Sequence, residues 1–233
     1  MISSVLFLFI YMVLDKITSA VYNDIMAGLT GMNANPTISY EQLTDEVVEM
    51  RQSVIKDFYT KNLFRIDDLL KAINCIEVDC KDQGKCCNIS SNKLAKHFEI
   101  PQLLDGIGDD AIYYIGSVDR HQMYSVYFEP SIMNFYKYRM RGSESPYVYI
   151  EKTPNENNMY DGWIFNAPFV KYISVIGIFK DLRQLTEYNC CKDPEFLDFG
   201  YISQEVKNRL TKQKLQYYRQ NYQPPASTSL MAK

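Results

Sequence analysis

The sequence predicts an α+β fold, with N-terminal helices and a C-terminal helix forming a helical bundle beside a β-rich middle domain. Apolar residues recur every three or four positions near both ends of the chain. Short β-branched or aromatic runs, separated by turn residues, fill the middle. Because the helices flank the strands without alternating with them, the order favours α+β over a doubly wound α/β fold.

Two apolar stripes predict the N-terminal helices. The first helix is expected over residues 15–29, and the second over residues 39–60 opens on the capping-box pattern Ser39-x-x-Gln42. The first stripe consists of Ile17, Val21, Ile25 and Leu29. The second consists of Leu43, Val47, Met50, Val54 and Phe58, with Glu46, Glu49, Arg51 and Lys56 expected on the rest of the surface. Residues 66–73 are expected to add a short third helix, because Asp67 and Asp68 suit a helix N-terminus.

The apolar run before the first helix has three interpretations. Residues 5–14 form a run too short to span a bilayer as a helix. It resembles the apolar part of a signal peptide, with cleavage before Val21, although no Lys or Arg precedes it. Alternatively, translation starts at Met12, and we favour this interpretation because residues 15–29 form a complete predicted helix.

Five strands are expected in the middle of the chain, over residues 111–118, 123–128, 147–150, 163–165 and 172–179. Turns are expected at residues 119–121 and at Asp161-Gly162, with an Asn-rich loop over 153–158. Residues 131–140 favour a helix, and residues 94–104 are ambiguous.

A last helix over residues 203–219 is predicted to carry its apolar stripe on Val206, Leu210, Gln213 and Tyr217. The predicted divisions of the chain are residues 1–14 (apolar extension), 15–72 (helical), 73–182 (β-rich), 183–219 (linker and C-terminal helix) and 220–233 (extended tail).

No motif for catalysis is present, so we predict a protein that is not an enzyme and needs no cofactor. The chain has only two histidines, His97 and His121, and lacks HExxH, P-loop, GxGxxG and GxSxG patterns. We interpret His121 as a polar turn residue and Asp109-Asp110 as a solvated turn. A glycosidase remains open, because only the fold can bring its two carboxylates together.

Six cysteines allow three interpretations. Cys75, Cys80, Cys86 and Cys87 could hold a structural zinc ion, although their spacing is not that of a standard zinc site. Disulfides could form with the distant pair Cys190-Cys191 outside the cell. Free thiols, which we favour for a reducing cytoplasm, would pack as small apolar groups.

Positive charge is concentrated at the C-terminus. From residue 203 onward there are six basic residues and one acidic residue, a net charge of +5, which leaves -8 on the other 202 residues given the overall charge of -3. A basic segment on an acidic body indicates a charged partner or a solvated helix face. The candidate contact residues are Lys207, Arg209, Lys212, Lys214 and Arg219.

Several blocks resemble the ring, or head-to-tail connector, proteins of crAss-like short-tailed bacteriophages. They are residues 14–24 (LDKITSAVYND), 73–80 (INCIEVDC), 146–150 (PYVYI) with 153–157 (TPNEN), 175–181 (VIGIFKD) and 209–219 (RLTKQKLQYYR). The resemblance runs over most of the chain and rests on the order of the blocks, none of which is a catalytic signature. The extension before Met12 is not part of the pattern.

The resemblance implies a structural virion protein, assembled in the host cytoplasm, whose homo-oligomeric ring of typically twelve copies lies beneath the portal protein. The ring would extend the double-stranded DNA channel and join the portal to the next tail component, without a membrane partner. The basic helix would dock the portal or face the lumen. Two alternatives stay open: a secreted, disulfide-bonded α+β binding protein, and a tail-associated hydrolase.

Overall fold

The chain folds into helices and two antiparallel-rich sheets, the α+β class that the sequence predicts. A computed structural model describes residues 2–30, 38–61, 69–79, 95–107, 111–129, 145–188, 199 and 202–221. These residues contain three α-helices, seven strands and a 3₁₀ helix over Leu182–Tyr188. The chain divides into a helical unit, Met1–Asp68 with Leu197–Lys233, and a β unit, Leu69–Phe196.

In the helical unit, each helix contacts the other two. The helices are α1 (Ile2–Gly28), α2 (Tyr40–Thr60) and α3 (Ser203–Asn221). The predicted start of α1 at residue 15 is wrong, since the helical backbone already begins at Ile2. None of the helices in the described part of the chain combines the length and apolarity that a membrane crossing requires.

The buried face of α1 lies one residue away from the predicted one at its N-terminal end. Its members are Leu14, Thr18, Val21, Ile25 and Leu29, whereas Ile17 is only partly buried. The Thr18 hydroxyl donates to the Leu14 carbonyl at 2.9 Å, so the polar group is satisfied inside the core. That local hydrogen bond explains why a threonine can occupy a buried position among apolar residues.

Helix α2 begins as predicted, but it buries a residue that the pattern placed outside. Ser39 is the N-cap, and its hydroxyl accepts from the Gln42 backbone N–H at 3.5 Å. The Gln42 side chain donates to Glu46 at 3.3 Å instead of returning to the cap, so only half of a capping box forms. Arg51 is 1% exposed, with its guanidinium 5.5 Å from the centre of the Phe199 ring. The ring stabilises this cation by a cation–π contact.

The predicted stripe of α3 is correct in its first half and wrong in its second. Val206, Leu210 and Tyr218 are buried, whereas Gln213 is exposed and Tyr217 is 57% exposed. The buried face continues from Leu210 by steps of four residues, because a helix with 3.6 residues per turn can follow either three- or four-residue spacing.

The β unit contains two sheets. One has the order β1-β7-β3 and is antiparallel throughout; the other has the order β2-β6-β5-β4, in which only β4 and β5 are parallel. The strands are β1 (Lys71–Glu77), β2 (Lys96–Pro101), β3 (Ile112–Ser117), β4 (Ser125–Tyr127), β5 (Tyr147–Pro154), β6 (Met159–Phe165) and β7 (Tyr172–Gly177). Backbone bridges Asp79↔His97 and Leu103↔Phe179 add short pairings outside the strands.

Two predictions in this unit are wrong. The helix expected over residues 66–73 overlaps β1, which is extended from Lys71 onward. The turn expected at Asp161-Gly162 lies inside β6, and the hairpin between β5 and β6 instead turns at residues 155–158. Gly162 is required there by packing, since a Cβ atom at this position would collide with the Phe98 ring. The predicted helix over 131–140 and residues 62–68 lie outside the described residues.

Candidate functional site

The five predicted contact cations all lie on α3, but their surroundings differ. Lys207 Nζ is 3.0 Å from Asp24 Oδ2 on α1. On the side of α2, Lys214 Nζ is 2.6 Å from Glu46 Oε1, and Arg209 Nη2 is 2.7 Å from Asp57 Oδ2. These three cations therefore connect α3 to its neighbours within the helical unit.

The hydrogen bonds of Arg209 shift two pKa values. Glu205 and Asp57 both accept from its guanidinium, which raises the pKa of Arg209. Hydrogen bonds from Lys61 and then Arg209 lower the pKa of Asp57. Both shifts favour the charged forms, so Arg209 and Asp57 stay ionised at neutral pH.

Lys212 and Arg219 are the exposed cations of the set. Among the described residues, neither is within ion-pair distance of an acidic side chain, and both line a groove of about 630 Å³ on the helical unit. The groove also contains Leu215 and Thr211, whose buried hydroxyl finds no hydrogen-bond partner within the described parts of the chain. The remaining lining residues are Asp24, Asn208, Gln216 and Gln220. The groove thus offers two cations and several amides to an anionic or polar partner.

A second cluster, which the sequence did not predict, lies on β2 and β6. Glu99 stands directly opposite Asp161 in the antiparallel register, and His97 stands opposite Trp163. Alternate residues of a strand share one face, so these four side chains occur on the same face of the sheet. The ligand atoms of His97, Glu99 and Asp161 all lie within 4.8 Å of one another.

The hydrogen bonds of this cluster hold the imidazole and the aspartate together. His97 Nε2 is 2.6 Å from Asp161 Oδ1, which also accepts from Asn155 Nδ2 at 3.4 Å. A carboxylate without a proton can only accept, so in that form Asp161 would take this hydrogen bond from a proton on His97 Nε2. The edge of the imidazole packs on Trp163, with ring centres 5.6 Å apart.

Trp163 connects the cluster to an aromatic core on the same sheet. It stacks on Tyr149 at 5.6 Å, and Tyr147 stacks on Phe165 at 4.8 Å. Burial, followed by the charge of Glu151, raises the pKa of Tyr149, so its hydroxyl stays protonated at neutral pH. The polar cluster is therefore positioned at the border of a rigid apolar layer.

The other candidate residues from the sequence are separate from both places. The turn predicted around His121 is confirmed: the side chain is exposed, and its backbone N–H donates to Asp119 at 3.2 Å. Cys75 is a free, partly buried thiol at a bulge in β1, with φ of 62°. The other zinc candidates, Cys80, Cys86 and Cys87, as well as Cys190-Cys191 and Asp109-Asp110, lie outside the described residues.

Comparison with known proteins gives no family assignment. No protein-family model matches the sequence, and no curated protein matches it. Function must therefore be argued from the residues and their geometry.

Proposed function

We propose that this chain is a structural subunit of a phage particle that forms an oligomeric ring between the portal and the next tail component. The sequence blocks that resemble connector proteins supply the class of function. In this proposal the three helices act as the bundle of the ring subunit, and the β unit forms its outer, tail-facing part. The chain would act by assembly, and its ring would extend the DNA channel.

The observation that carries the proposal is that some cations of α3 are paired with acidic residues and others are exposed. Lys207, Arg209 and Lys214 are engaged by acidic residues of the neighbouring helices. Lys212 and Arg219 are left facing a groove, and both are exposed. Two exposed cations on a helix that is itself held firmly suit contact with an acidic partner surface or with DNA phosphates. They are the residues that we assign to docking.

A ring also needs two different contact surfaces on each subunit, because its interface is head-to-tail. Phe169 is 93% exposed and Met123 is 62% exposed, both in the β unit. Large apolar side chains in such positions are favourable at protein interfaces. Their exposed apolar area is chemically distinct from the basic groove.

The first experiment measures the native mass of the purified chain, alone and mixed with a portal protein from a crAss-like phage. A ring of about a dozen copies, or a single large complex with the portal, supports the connector. A monomer that ignores the portal, together with intact disulfides among the six cysteines, would favour a secreted binding protein instead.

Charge reversal tests the assigned contact. We expect Lys212→Glu with Arg219→Glu to stay folded and to lose portal docking or DNA retention. The matched control is Lys16→Glu with Lys171→Glu, which introduces the same charge change at exposed lysines outside the groove. The readouts are circular dichroism, complex formation and the infectivity of phage carrying each variant. Full infectivity of the groove variant would refute the role of Lys212 and Arg219.

A further inference from the structure

The paired carboxylates of β2 and β6 bring two acidic side chains together at one place on the sheet. Glu99 and Asp161 are direct cross-strand partners, and like charges at such positions destabilise a sheet. His97 lies beside them, with Nε2 2.6 Å from Asp161 Oδ1. A divalent cation between the three groups would offset the repulsion between the two carboxylates.

We infer that His97, Glu99 and Asp161 bind one divalent transition-metal ion, which ties β2 to β6. One imidazole nitrogen and two carboxylates are a donor set typical of Mn²⁺, Fe²⁺ or Zn²⁺. Three protein ligands leave further coordination positions for water. This site is independent of the proposed ring function, because it lies in the β unit and uses no residue of the basic groove.

The three ligands are already held in place. The backbone of His97 is hydrogen-bonded to Asp79 in both directions at 2.8 Å, and its side chain is only 10% exposed. Trp163 limits the rotation of the imidazole, and Asn155 donates to Asp161. Groups that orient ligands in this way raise metal affinity, because less order is lost on binding.

Metal binding replaces a hydrogen bond by coordination. His97 Nε2 and Asp161 Oδ1 are 2.6 Å apart, and two ligands of one ion with bonds of about 2.1 Å need a separation of about 3 Å. The metal takes the lone pair of Nε2, so a proton held on Nε2 passes to Nδ1 or to solvent as the ion binds. The required movement is a few tenths of an ångström, within the range of side-chain rotation. No redox change or bond cleavage is involved.

The ligand atoms are close enough together to share one ion, since all three lie within 4.8 Å of one another. Asp161 also contacts His97, with Oδ1 2.6 Å from Nε2, so the imidazole already lies where a third ligand is needed.

Mn²⁺ is the probe that tests the site, because the six cysteines would compete for Zn²⁺. The chelator-treated full-length protein is titrated with Mn²⁺, and free ion is measured by electron paramagnetic resonance. We expect about one tightly bound Mn²⁺ per chain, with an increase in thermal unfolding temperature. Glu99→Gln and Asp161→Asn should each raise the dissociation constant at least tenfold and remove the temperature increase.

The controls distinguish Mn²⁺ binding at this site from binding to other carboxylates or to the other histidine. Glu151→Gln changes an exposed carboxylate on the neighbouring strand β5, and His121→Gln changes the other histidine. Both should bind Mn²⁺ as the unchanged protein does. Absence of binding to the unchanged protein, or an equal loss in Glu99→Gln and Glu151→Gln, would overturn the proposal. If Asp161→Asn fails to fold, the Glu99→Gln variant decides the test, because Glu99 is partly exposed.

Discussion

Asp57 makes the stability of the helical unit depend on pH. Its pKa is lowered in the folded chain by hydrogen bonds from Lys61 and Arg209, below the ordinary value of 3.8. A group with a lowered folded pKa contributes stability above its unfolded pKa, and this contribution is lost as the pH falls through the folded value. The stabilising contribution of Asp57 is therefore complete at neutral pH and is lost as the pH falls below about 4.

Asp57→Asn should make the stability of the protein less dependent on pH in the acidic range. Above pH 5 the variant should unfold at a lower urea concentration than the unchanged protein, and the two curves should converge as the pH falls below 4. The measurement is the urea midpoint, followed by circular dichroism at 222 nm, between pH 7 and pH 2.5. Glu49→Gln, at an exposed site on the same helix, should leave the difference between neutral and acidic pH nearly unchanged. Parallel curves for Asp57→Asn and the unchanged protein would contradict the assignment.

Gly162 shows why the candidate metal site could not be predicted from the sequence. Asp-Gly is a strong hairpin signal, because glycine readily adopts the left-handed conformation of a turn. Here the glycine instead makes room for the Phe98 ring in the middle of β6. Once Asp161 was assigned to a turn, its cross-strand pairing with Glu99 could not be foreseen. Such pairing follows from register, which single-sequence patterns do not specify.

Elements with a regular period were predicted better than irregular ones. In α2, Leu43, Val47 and Val54 are buried as expected, since an uninterrupted helix keeps its spacing. Met50 and Phe58, which were expected on the same stripe, are only partly buried. In β1, the bulge at Cys75 separates the buried residues Ile73 and Ile76 by three positions. A spacing of three is helical, so the bulge makes a strand resemble a helix in the sequence.

Helix α3 provides a matched pair of cations, one inside the helical unit and one on its surface. Lys214 Nζ is 2.6 Å from Glu46 Oε1, with 19% and 22% of the two side chains exposed. Lys212 lies two residues earlier and is exposed. The two lysines have the same intrinsic helix propensity, so comparing them isolates the ion pair.

Lys214→Gln should lower the free energy of unfolding by about 0.5–1 kcal/mol, because a partly buried ion pair is lost while Glu46 remains. Lys212→Gln should change it by less than about 0.5 kcal/mol. Guanidinium chloride would screen the ion pair, so the measurement is urea denaturation at low salt. Raising the salt concentration should shrink the Lys214 effect. Equal destabilisation by both substitutions would show that the lysines have similar roles.

At the scale of the whole molecule, the order of helices and strands along the chain was enough to predict the fold class. The helical unit combines both ends of the chain, Met1–Asp68 and Leu197–Lys233, and the β unit takes the continuous segment between them in the sequence. Helical periodicity at both ends and strand patterns between them are visible without knowledge of contacts, which is why α+β was predictable. The position of β7 between β1 and β3 was not predictable, because its partners are distant in the sequence, as in the pairs Lys71↔Gly177 and Ile112↔Gly177.

The remaining question at this scale is whether the basic groove meets DNA or the portal, and salt dependence separates the two. Each phosphate contact made by a cation contributes about 0.9 to the slope of log affinity against log salt. If Lys212 and Arg219 touch DNA in the assembled ring, Lys212→Gln with Arg219→Gln should reduce that slope by about 2 for every subunit that contacts the duplex. Fluorescence anisotropy of a short duplex between 50 and 200 mM salt measures it, with Lys16→Gln and Lys171→Gln as the control. An unchanged slope combined with weaker portal binding would assign the groove to the portal, because DNA contact by these cations cannot leave the slope unaffected.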